Sequence, residues 1–229
     1  MTLLTICQDA ATEMQWDVPA AIVGNPDEMA QRLFRLANRV GRDVMERGLW
    51  PNRRALHSFT AVPGAVQPGA LPADFGRWVP DSMWRTDIPE MLLGPLDGQR
   101  WAEARAQPLT GAQPRWWTVE ATGPQVWPPA QGGETLAVEY FSRAFCADNA
   151  GLVRLAFAAD DDMALVPEEL LTLGVIAFAL RNEGQPWQPA MGDYERRLWR
   201  MSREAQPQQS LRTEIPAAMP WPRLRGGWP

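Results

Sequence analysis

The chain has 229 residues, 45% of them hydrophobic, which is enough for one or two domains with a substantial buried core. Its 22 basic residues are all arginine and face 27 acidic ones, for a formal net charge of −5 and a pI near 5.0. That balance argues against duplex DNA or an anionic membrane as the main partner, because phosphate recognition needs a surplus of cations.

Cys7 and Cys146 lie far apart with no CxxC or Cys/His spacing, so they read as small buried apolar residues and not as a disulfide framework or zinc site. The start "MTLLTICQDA" has no basic region, and the longest apolar run, "LLTLGVIAFAL", is too short for a bilayer. The expectation is an intracellular, soluble protein with no membrane contact. There are also 22 prolines and 12 tryptophans. A proline share well above the ~5% average implies long ordered loops and extended arms, and tryptophans in such loops need burial, for which a partner subunit is one candidate.

In chain order, Thr2 reads as the N-cap of a first helix with Leu3, Ile6, Cys7, Ala10 and Met14 on one face. A second helix is expected from Asn25 as cap and Pro26 as first helical residue, with Asp27 and Glu28 at the positive end of the dipole. Met29, Leu33, Leu36, Val40 and Val44 form its apolar stripe, and Gly48 ends it. Beside that stripe run Arg32, Arg35, Arg39 and Arg42. They suit either a nucleic-acid face or a solvated or intersubunit face, and the acidic whole favours the latter.

From Arg54 to about Arg143 the pattern turns β-like. "ALHSFTAV" alternates as a strand, "PGAVQPGALPADF" is turn-rich, "RWVPDSMWR" is extended, and "PLDGQRWAEARAQ" is a short helix. "RWWTVEATGPQVWPPAQGGETLAVEYFSR" reads as a three-stranded meander turning at Thr122–Gly123 and breaking at Gly132–Gly133, with Leu136, Val138 and Tyr140 sharing a face. The prolines at 124, 128 and 129 place the middle strand at an edge.

The last third returns to helix. Pro167 reads as a first helical residue followed by Glu168 and Glu169, and the apolar run after it as a central core helix. Another helix from about Gln188 carries Met191, Tyr194, Leu198, Met201 and Ala205 on its apolar face. The remainder, "PQQSLRTEIPAAMPWPRLRGGWP", has no periodicity but keeps Leu211, Ile215, Trp221 and Trp228 together with Arg223 and Arg225. It reads as an arm that orders against a partner.

The expected fold is therefore α+β and mainly α. N-terminal helices (1–53) and C-terminal helices (146–206) form a bundle core, with a β-rich insertion (54–145) and an extended arm (207–229).

No P-loop, dinucleotide fingerprint, GxSxG, HExxH or EF-hand loop occurs, and His57 is the sole histidine. No cofactor, metal or catalytic group is assigned. A carboxylate pair such as Glu13 with Asp17, or Asp160 with Glu169, would serve a glycosidase, so a wall-degrading hydrolase is the alternative reading. Among 27 acidic residues some pair can always be chosen. The triplet Asp160, Asp161 and Asp162 is first explained as the acidic approach to a helix, with a neighbouring subunit's arginines or a channel as its further expected surroundings.

Taken in order, "MTLLTICQDA", "NPDEMAQRLFRLANRVGRDVMERGLW", "ALPADF", "GETLAVEYFSR", "AADDDMALVPEELLTLG" and "YERRLWR" resemble the head-to-tail adaptor proteins of tailed bacteriophages, in the P22-like group. The resemblance covers about residues 1–205; the C-terminal arm has no close counterpart in it. It implies a structural virion protein and not an enzyme. Such a protein assembles as a homo-oligomeric ring of twelve copies below the portal, at the head–tail interface, after assembly in the host cytoplasm. The ring extends the channel through which double-stranded DNA passes without specific binding, and it offers a docking surface to a tail or nozzle protein.

Overall fold

A computed structural model describes residues 1–48, 50–68, 71–88, 90–107, 115–120 and 123–204. Helix α1 (Leu3–Glu13) starts at Thr2, whose hydroxyl accepts from the Thr5 amide while the Thr5 side chain returns a bond to the Thr2 backbone. Two of the four amides left unpaired at a helix start are settled in this way.

Helix α2 (Glu28–Arg47) begins later than the sequence suggests. Asp27 is its cap, accepting from the Ala30 amide at 3.0 Å, and Asn25 accepts from the Asp27 amide at 2.9 Å. Asn25 thus shapes the turn before the cap, and Pro26 stands outside the helix. At the far end Gly48 closes the helix, and the Trp50 indole donates to the Val44 carbonyl at 3.0 Å.

Helix α3 (Gly98–Ala106) lies within the β region. Helix α4 (Glu168–Asn182) follows Pro167, which occupies the cap position and not the first helical one. Helix α5 (Gln188–Glu204) then packs on α4. The stripes of α1, α2, α4 and α5 meet in one hydrophobic cluster that includes Leu3, Ile6, Leu33, Val40, Leu171 and Tyr194. Gly174 allows α4 to approach α2, since a Cβ there would run into Val40 and Tyr194.

The β region, from Arg54 to Ser142, builds a sheet with a core of its own. Strands β1 (Arg54–Thr60), β2 (Gly64–Val66), β3 (Phe75–Trp78), β4 (Met83–Arg85), β5 (Glu90–Leu93), β6 (Arg115–Glu120), β7 (Gly123–Ala130) and β8 (Thr135–Ser142) form one eight-stranded sheet. Its order is β1-β8-β4-β5-β6-β7-β2, with β3 also on β8. Among the described residues every strand pair is antiparallel except β5–β6, whose crossover contains α3. The sheet has its own hydrophobic cluster, including Met83, Leu92, Trp117, Val126, Leu136 and Val138.

A mainly α chain with a helical bundle core is therefore overturned. Of the described residues 39% are helical and 26% lie in strands, and the strands are built into a curled mixed sheet. The physical reason is that β2, β4 and β5 are three or four residues long, too short to show alternation. Long-range pairing with β8 and β7 organises them instead.

Two local expectations change with it. Strand β8 pairs with β1, β3 and β4 and not with β7, so there is no meander. Strand β7 is interior, between β6 and β2, in spite of its prolines. Gly64 pairs with Ala130 and Val66 with Gln125, and the register shifts between them, so Pro128 and Pro129 fall where β7 need not donate.

A small second sheet, β10-β9-β11, comprises β9 (Cys146–Ala147), β10 (Val153–Arg154) and β11 (Met163–Ala164).

Candidate functional site

The aspartate triplet lies between β9–β10 and α4, and each carboxylate has a different task. Asp160 accepts from the amides of Ile22 and Val23, the latter at 2.8 Å, and its carbonyl accepts from the Leu4 amide at 3.1 Å. Asp162 is 0% exposed; it accepts from the Ala159 amide at 2.9 Å and pairs with Arg154 at 3.2 Å. Its carbonyl takes the Leu3 amide at 2.9 Å. Asp161 is exposed and accepts from the Asn149 side-chain amide. Asp160 and Asp162 therefore hold the start of α1 and the loop before α2 against the small sheet, whereas Asp161 stays at the surface.

Beneath them, burial and then the Asp160 charge push the Cys7 thiol up to about 12. Burial and then Asp162 push Cys146 up to about 12 as well, against the opposing pull of Arg154. Both thiols are free, buried and protonated at neutral pH, which makes them packing residues and not nucleophiles.

The arginine stripe of α2 is spent mostly on the chain itself. Arg32 pairs with Glu183 just beyond α4 at 3.0 Å, Arg35 donates to the Gln31 carbonyl at 3.2 Å, and Arg39 lies 4.6 Å over the Phe178 ring. Arg42 is exposed and has no ion-pair partner among the described residues.

The carboxylates considered for hydrolysis do not form facing pairs with one role. Asp160 is held by backbone amides, Glu169 pairs with Arg197, and Glu13 and Asp17 lie at the solvent-exposed end of α1 and the loop after it. His57 stacks on Phe59 at 5.9 Å and meets Tyr140 edge-on, a packing environment on β1. Among the described residues there is no group of three or more His, Cys, Asp or Glu side chains placed to hold a metal ion, and no helix is long and apolar enough to cross a membrane.

Two charged features were not visible in the sequence. At one end of the curled sheet, Arg115 and Glu134 form a buried pair with Arg85 and Glu90 close by. Burial pushes Glu134 up, but its bonds from Arg115 and from the Gln131 amide, with the charges of Arg115 and Arg85, hold it below the usual carboxylate range. The second is a cavity of about 350 Å³ where the end of α2 meets β3 and β8, with Arg42, Arg53, Arg77 and Arg143 around it and Trp50 and Phe141 in its wall. These arginines come from three separate stretches of chain, so no spacing rule links them.

Leu211, Ile215, Trp221, Arg223, Arg225 and Trp228, the expected anchors of the arm, lie outside the described residues, as does Ala205 of the α5 stripe.

Among curated proteins, none matches the chain. A family model described as SU10 adaptor protein matches residues 1–217, nearly the whole chain and both hydrophobic clusters. The chain belongs to the SU10 adaptor protein family, and its role is that of a structural head-to-tail adaptor of a bacteriophage virion.

Proposed function

We propose that copies of this protein assemble as a ring of twelve below the phage portal. The ring extends the channel for double-stranded DNA and gives the tail or nozzle its attachment site. The observation that carries this reading is the family match across residues 1–217. The formal charge of −5 per copy supports it, because an assembled ring of acidic subunits repels phosphate and lets DNA slide instead of adhering.

In this reading the helical segments 1–53 and 146–206 and the β segment 54–145 present different surfaces, one set to neighbouring copies and the other to a partner. Asp161, together with Arg35 and Arg42, faces neighbours or the channel. Residues 207–229 form the anchor to the portal, with Trp221, Arg223, Arg225 and Trp228 as the first anchors to examine, since aromatic residues and arginine dominate interface hot spots.

The test is co-sedimentation with purified portal rings. The full chain is expected to sediment with the portal, and a chain ending at residue 206 is expected to fold but stay in the supernatant. Equal binding by the shortened chain removes the anchor role, and no binding by the full chain removes the portal.

A further inference from the structure

The arginine-lined cavity at the end of α2 is the strongest charged feature that the adaptor role leaves unexplained. Among the described residues, Arg42, Arg53, Arg77 and Arg143 form no ion pair, although Arg77 lies 4.9 Å over the Phe141 ring. The carboxylates near them are Glu46, in the cavity wall and also unpaired, and Asp74, which accepts from the Tyr140 hydroxyl at 2.9 Å. The Arg53 Nε is buried with no hydrogen-bond partner. Burial lowers the Arg53 pKa, with Asp74 and Tyr140 offsetting part of the effect. Arginine stays charged in proteins, so a poorly solvated guanidinium waits for an anion.

The complementary surface is on the same chain, at the other end of α2. Asp17 and Asp27 line a cavity of about 490 Å³ together with Trp16, Val18 and Met29. Asp9, Glu13 and Glu28 lie on the neighbouring turns of α1 and α2, all exposed and all without an ion pair among the described residues. Helix α2 is 20 residues long, so its two ends stand about 30 Å apart and cannot neutralise each other within one subunit.

We propose that the arginine cavity of one copy receives the acidic end of a second copy, so that the protein associates head to tail through opposite ends of α2. Both surfaces pair charges with apolar side chains, Trp50 and Phe141 at one end and Trp16, Val18 and Met29 at the other. The arginines converge on a single concavity instead of tracking along a line, which suits a few carboxylates better than a duplex backbone. A head-to-tail contact is heterologous: it closes into a ring when its rotation allows, and runs on as a filament otherwise. This rests on the proposed self-assembly and names its interface.

The experiment uses the full chain and two charge-reversed forms, Arg77→Glu with Arg143→Glu and Glu13→Arg with Asp17→Arg. All four positions are exposed, and an unchanged far-ultraviolet circular dichroism spectrum checks the fold. Sedimentation equilibrium at low salt over a concentration series is expected to show salt-sensitive association of the unaltered protein. Each reversed form alone should associate more than about tenfold more weakly, because like charges then face each other. An equimolar mixture of the two should recover association, since each supplies the surface the other now fits.

Association unchanged by reversal, no recovery on mixing, or an unaltered protein that stays monomeric throughout overturns the proposal. So does salt-sensitive binding of a short DNA duplex that the Arg77/Arg143 form loses, which would assign the cavity to nucleic acid. Reversed forms that still build rings on the portal would sink this contact and leave the ring standing. Open filaments of the unaltered chain, with no ring on the portal, would do the opposite.

Discussion

Asp161 and Asp162 are adjacent in sequence and opposite in consequence. Asp162 is 0% exposed and joins two backbone amides, an arginine and, through its carbonyl, the first turn of α1. Asp162→Ala removes the carboxylate that accepts from the Ala158 and Ala159 amides and pairs with Arg154, while the carbonyl bond to α1 stays, and is expected to cost about 2 kcal/mol, whereas Asp161→Ala, at an exposed site, should stay within about 0.5 kcal/mol. Denaturant unfolding of the two variants measures both, and equal effects would remove the structural account of the triplet.

Glu134 supplies a second test at this scale. Its pKa is lower folded than unfolded, so the stability it contributes is present above the unfolded value, about 4.3, and is lost as pH falls through the folded value. Glu134→Gln should therefore destabilise the protein at pH 7 and flatten the loss of stability below about pH 4.3, which thermal melts across pH would show.

Among elements, α2 and α4 pack tightly at Gly174, where an added methyl meets Val40 and Tyr194. Gly174→Ala gains helix propensity yet overpacks the helical cluster, and the second effect is the larger; a net loss of about 1–3 kcal/mol is expected. A thermal melt that rises instead would show that the two helices can slide apart without penalty.

Helices were the legible elements because their signals are local. The Thr2 cap, the stripe from Leu33 to Val44 and the apolar run after Pro167 each lie within one segment, and the structure moves their boundaries by only a few residues. The sheet was legible only in pieces. Strand β8 shows its face through Leu136 and Val138, but nothing local states that it joins β1, β3 and β4 instead of β7. Strand β5 has no alternation to mark it, and its partner β6 is reached only across α3. The site divides the same way. The triplet's acidic character was plain, while the inward turn of Asp162 depends on Arg154 and the loop amides, and the arginine cavity exists only after the end of α2 meets β3 and β8.

At the scale of the molecule, a helical cluster and a curled eight-stranded sheet sit in one chain whose family builds head-to-tail adaptors. Two hydrophobic clusters of different architecture suit the proposed role, in which one chain meets copies of itself and also unlike partners. The proposed ring on the portal can be seen or refuted by electron microscopy of the purified protein mixed with portal rings. A second coaxial ring beneath the portal, with one adaptor per portal subunit, is the expected image. Portal rings without added density, beside unattached protein, would contradict it.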